Sequence, residues 1–149
     1  MSIVALITWL ITAGFGSFML ATWIRNGGLR RTGGAASHFP PARVFSHFLL
    51  AAAGLIVWIV YLVTDMSILA WVAVADLVLV ALLGGLLVRQ WAKDGRAAMT
   101  ASRRSDAAEP NLAEQHIPRA PVVLHGIFAV STLVPVSYTH LTLPTTPYV

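Results

Sequence analysis

The sequence predicts an all-α, polytopic membrane bundle of four transmembrane helices. Three observations carry that expectation. Of 149 residues, 57% are hydrophobic and only 11% are charged, where a soluble domain carries roughly a quarter. A chain this short cannot hide the surplus in a larger core, so apolar surface must face lipid. Finally, the mean hydropathy of +0.75 is concentrated in separate runs bounded by basic or Pro-rich segments.

The runs predict helices over about 3–24, 44–64, 67–92 and 120–135. Some twenty apolar residues in a helix rising ~1.5 Å per residue cover the ~30 Å hydrocarbon core. The first run has no charged leader and no small-residue cleavage site, so it is expected to stay as a span rather than leave as a signal peptide. The second follows Pro40 and Pro41, a residue type that suits a first helical turn. Asp65 and Met66 form the turn to the third. The segment from Arg96 to Glu114, rich in Ala, Ser, Arg and acids, reads as a solvated linker, and Arg25 to Ser37, with four glycines, as a flexible loop.

The fourth span begins at Pro121 and ends abnormally. The run Val136-Ser137-Tyr138-Thr139-His140-Leu141-Thr142-Leu143-Pro144-Thr145 resembles the conceptual translation of a transposase-type sequencing adapter. The resemblance implies that 136–149 is a non-native tail, expected to be unpacked. It also implies a fourth span truncated after about fourteen native residues, with His140 of no functional weight. Residues 1–135 look like a bacterial four-span membrane protein without a family motif.

Charge sets the expected orientation. Arg25, Arg30, Arg31 and Arg43 lie between the first two spans, and Arg89, Lys93, Arg96, Arg103, Arg104 and Arg119 between the last two. The turn between the second and third spans holds only Asp65. All ten cations therefore fall on one side, which the positive-inside rule makes cytoplasmic, with the N-terminus outside a bacterial-type inner membrane. Trp23 and Trp91 would mark the inner interface, and Trp9, Trp58, Tyr61 and Trp71 the outer one. Because the basic residues sit in inter-span loops, the expected partner is the lipid bilayer, with a homodimer or larger membrane complex, and not nucleic acid. The chain has no cysteine, which excludes disulfides, thiolate metal sites and thiol nucleophiles. The glycine-rich loop fits no phosphate-binding spacing.

An internal repeat adds a constraint. His38-Phe39-Pro40-Pro41-Ala42-Arg43-Val44-Phe45-Ser46-His47 matches His116-Ile117-Pro118-Arg119-Ala120-Pro121-Val122-Val123-Leu124-His125 at five of ten positions, always 78 residues apart. Proline is a common way to start a helix, but two histidines at identical spacing are not explained by that. The pattern predicts a tandem repeat of a two-helix hairpin, its halves related by an axis along the membrane normal. The first and third spans align only weakly, through Arg25 and Arg89.

The repeat puts His47 and His125 at one depth, about a turn inside the cytoplasmic boundary. The face of His47 continues through Ala51, Gly54 and Trp58, and that of His125 through Phe128, Ala129 and Thr132. Two readings compete, of which the second, the accessory protein, is the default expectation for four short helices with few polar groups, and the first is the alternative. In one, the pair supplies axial ligands to a b-type haem between helices, as in bis-histidine four-span cytochromes by analogy of architecture. In the other, the histidines are structural groups at the headgroup boundary of an accessory protein with no catalytic site. A weaker version adds His38 and His116 to make a four-imidazole metal site.

Asp76 is the only acid inside a span, with no cation at its depth. Thr8, Thr12, Ser131 and Thr132 lie at that level and are expected to hydrogen-bond it, so Asp76 and Thr12 are the candidate intramembrane polar residues. A small proton- or cation-coupled transporter using Asp76 is the weaker functional alternative. At ~18 Å above the inner boundary, against ~5 Å for His47, Asp76 should not touch the histidine.

Overall fold

The computed structural model describes residues 2–30, 37–104 and 112–141, with side chains over 3–30, 37–100 and 112–137. The chain runs α1 (Ser2–Arg25), α2 (Pro41–Thr64), α3 (Ser67–Arg104), a 3-10 turn (Ala113–His116) and α4 (Arg119–Leu141). All four α-helices are long and apolar enough to cross a membrane. No strand occurs among the described residues.

Local chemistry fixes the helix ends. Pro40 is extended and Pro41 opens α2, where a missing N–H costs no helical bond. Asp65 closes α2 in the left-handed region at φ 54°, its N–H on the Tyr61 carbonyl, and Ser67 starts α3 at once. The tight link makes α2 and α3 antiparallel neighbours.

Two boundaries differ from the sequence expectation. α3 continues to Arg104, twelve residues past 92, because the Ala-rich charged stretch after Trp91 keeps high helix propensity without lipid. Only its first part is apolar, so it projects beyond the spanning region. α4 continues through Leu141, so the first residues of the tail are not unpacked. Pro135 lies inside this helix, and Val136 is fully buried. Proline removes one helical donor there, but the packing of Val136 against the core holds the turn together. Residues 142–149 lie outside the described residues, as does 31–36 of the first loop.

The helices form a ring in which α1 packs most extensively on α4 and α2 on α3, with lesser α1–α2 and α3–α4 contacts. α2 and α4 stand on one diagonal, and no Cα of one comes within 8 Å of the other. Exchanging α1 with α3 and α2 with α4 maps this pattern onto itself, as a two-hairpin repeat requires.

Two core clusters fill the ring. One joins Ala5, Trp9, Trp58, Ala70, Ala73, Leu77 and Val136. The other, at the loop end, joins Trp23, Phe39, Val44, Ala113 and Ile117. Trp9, Trp23 and Trp58 therefore point inward rather than forming a lipid-facing belt. Trp23 gives its indole N–H to Ser37 Oγ at 2.8 Å, which pays for burying a polar edge. Large apolar side chains cover the outside of all four helices, up to 81% exposure at Val63, the pattern of surfaces solvated by lipid.

Candidate functional site

His47 and His125 converge inside the bundle. Their ring centroids lie 6.1 Å apart with planes inclined at 63°. Each helix delivers its histidine two turns in from a proline-marked start, so equal depth follows from equal spacing. The rings bridge the α2–α4 diagonal, where the backbones do not meet.

Each imidazole is anchored on the helix beside its own. His47 Nδ1 lies 3.0 Å from the Val80 carbonyl of α3, and His125 Nδ1 lies 2.9 Å from the Thr12 carbonyl of α1. One turn further along, Gly84 faces His47 and Gly16 faces His125. A Cβ at either glycine would stand 3.0 or 3.1 Å from the ring Cε1. Glycine is favoured here by close approach, not by backbone angle.

The two environments are copies. Val80 and Gly84 stand 68 positions after Thr12 and Gly16, and at that offset Ala5 meets Ala73, Trp23 meets Trp91 and Gly27 meets Gly95. The register of α1 and α3 that superposes the two histidine contacts thus lies one turn away from the Arg25–Arg89 match. Sequence comparison missed it because charge at a helix end drew the alignment, while the informative residues are small and scattered.

Since a carbonyl can only accept, Nδ1 donates in both histidines. In a neutral imidazole that leaves Nε2 with its lone pair, the form that binds a metal. No donor among the described residues reaches either Nε2. The arrangement presents two nitrogen bases to one interior region of the bundle.

The other polar residues are elsewhere. Asp76 packs against α2, where a Cβ on Gly54 would overlap its carboxylate and would stand 3.0 Å from Trp9. Its Oδ2 is buried without a hydrogen-bond partner among the described residues. Three of the four expected hydroxyl partners are occupied within their own helices. Thr8 bonds Val4 and Ala5 carbonyls, Thr12 bonds Thr8 and Thr132 bonds Phe128. Back-bonding to the preceding turn satisfies a threonine without a partner helix, which is why the shared depth did not produce contact. Thr12 enters the histidine site through its carbonyl, not its hydroxyl.

His38 and His116 do not join the central pair. His38 is exposed and bonds Asp94 at 2.9 Å, while exposed His116 lies 3.3 Å from the Leu112 carbonyl. The sequence reading overlooked Asp94 and Glu114, which are buried beside His38. Their isolation among polar residues reads as solvation, and only the helical extension of α3 and the 3-10 turn bring them inside.

With this geometry in place, the chain was compared with known proteins. No family, curated protein or solved structure matches it. The function therefore rests on the site.

Proposed function

We propose that this chain is a small multi-pass membrane protein that holds a b-type haem between His47 and His125 and carries electrons one at a time. The observation that supports it is the convergence of two Nδ1-anchored imidazoles across a diagonal whose helices do not touch. A six-coordinate iron holds its axial nitrogens ~4 Å apart, which sets the ring centroids roughly 6 Å apart. The 6.1 Å separation matches that requirement. Glycines beside both rings, and the lone pair on each Nε2, fit the same use.

A second reading has its own support. The imidazoles already staple α2 to α3 and α4 to α1 through backbone carbonyls, which suffices for a structural or accessory subunit without cofactor. The visible spectrum of the purified full-length protein separates the two. A Soret band that shifts on reduction supports haem; its absence after expression with ample haem supports the accessory role.

In either reading we place the chain in a bacterial-type cytoplasmic membrane, N-terminus outside and both basic loops inside, alone with lipid or as a homodimer or complex subunit. The loop ends share one end of the bundle, since the backbone of His38 bonds Glu114. Residues 136–149 are taken as adapter-derived, which resequencing of the genomic locus tests.

A further inference from the structure

A second cluster of ligand-type side chains lies at the loop end, apart from the histidine pair. Asp94 of the α3 extension is 8% exposed, and both its carboxylate oxygens lie 3.1 Å from Gln90 Nε2. Its Oδ1 lies 2.9 Å from His38 Nδ1. Glu114, in the 3-10 turn, is fully buried. Its Oε1 accepts the His38 backbone N–H at 2.6 Å, and its Oε2 has no partner among the described residues. One ligand atom from each of His38, Asp94 and Glu114 lies within 4.8 Å of the others. A cleft of ≈ 380 Å³, lined in part by Asp94 and Glu114, opens alongside.

Two buried carboxylates beside one another repel, and each loses its hydration. Such groups are stable when paired with cations or when they coordinate a metal. The one ion pair among the described residues joins Asp94 to His38 and leaves Glu114 Oε2 unanswered. Glu114 Oε2 is thus a fully buried acceptor without a partner among the described residues, beside the ligand atoms of His38 and Asp94, and a cation there would satisfy it.

We propose that His38, Asp94 and Glu114 bind a divalent cation of the zinc class. One imidazole with two carboxylates suits a borderline metal better than magnesium or calcium, which prefer oxygen alone. Bond lengths of about 2.0–2.2 Å need only a small contraction of the cluster. Binding replaces the Nδ1 hydrogen bond: the proton that Nδ1 shares with Asp94 leaves to water, the neutral imidazole carries its single proton on Nε2, and the metal takes the freed Nδ1 lone pair. Two carboxylates balance the charge of the ion. Gln90 is a positioning residue that orients Asp94, and water reaches the fourth position from the exposed side of His38. The ion would tie the first loop, the α3 extension and the segment before α4 into one clip, linking residues 56 and 76 positions apart. This site shares no residue with the haem site.

The test is calorimetric titration of the untagged, chelator-stripped, full-length protein in detergent with Zn²⁺, with bound metal counted after desalting. One zinc per chain and a rise in Tm are expected, unaffected by millimolar Mg²⁺. His38→Ala, at an exposed position, and Glu114→Gln, which keeps shape, should each weaken binding by more than about tenfold. The double variant His47→Ala/His125→Ala should bind zinc as the parent does. Absence of zinc binding by the parent overturns the proposal. Binding that persists in both the His38 and Glu114 variants, displacement by Mg²⁺, or loss only in the His47/His125 variant does so too.

Discussion

The imidazoles of His47 and His125 stand 6.1 Å apart, centre to centre, and each is tied through Nδ1 to a carbonyl of a different neighbouring helix. The pair therefore couples all four helices through two hydrogen bonds. Inter-helix bonds of this kind average about 0.6 kcal/mol in membranes, too little to explain by stability alone why two bases face one interior region.

On the haem reading, His47→Ala and His125→Ala each abolish the Soret band while membrane insertion continues, because insertion depends on apolar length and not on the pair. His47→Ala that leaves the spectrum unchanged excludes His47 as a ligand. Stability should fall by about 1–2 kcal/mol in either variant, from one lost hydrogen bond and a small cavity.

Gly84 and Gly16 should be equivalent under substitution. A leucine at either forces the facing ring off its carbonyl, since even a Cβ would stand 3.0 or 3.1 Å from Cε1. Each change should cost about 1–3 kcal/mol by overpacking. Thermal unfolding in one detergent checks the magnitude. A large effect at Gly84 with none at Gly16 would break the structural equivalence of the two halves.

How far the sequence carried this depends on the kind of signal. Run length placed the spans, and the repeated Pro and His spacing placed His47 and His125 at one depth. Direction was less accessible: Trp9, Trp23 and Trp58 have the depth of interfacial aromatics but turn inward, which hydropathy does not distinguish. Helix ends outside lipid follow propensity, so α3 overran its apolar run to Arg104. Glu114 was hidden because its burial depends on contacts with His38, 76 positions away.

The proposed orientation yields its own measurement. Alkaline phosphatase fused after Ser37 should be inactive and after Asp65 active, because only the second junction lies outside the cell. The reverse result would invert the bundle. Activity at both would mean that α2 does not cross.

Asp76 and Gly54 give the most decisive packing test, since the two residues meet across α2 and α3. A Cβ at Gly54 would overlap the Asp76 carboxylate and crowd Trp9, so Gly54→Ala should cost about 1–3 kcal/mol. Asp76 Oδ2 has no hydrogen-bond partner among the described residues, so truncating the side chain breaks no bond to them at that oxygen. It also lifts an unpaired acid out of an apolar setting, and Asp76→Ala should therefore be nearly neutral or stabilising, offset by the space it vacates. The double variant should recover most of the Gly54→Ala loss, because the added methyl occupies the volume the carboxylate leaves. A coupling of about 1 kcal/mol or more is expected for residues in direct contact. Additive effects would mean the contact contributes little. A strongly destabilising Asp76→Ala would instead show that the carboxyl group holds α2 and α3 together.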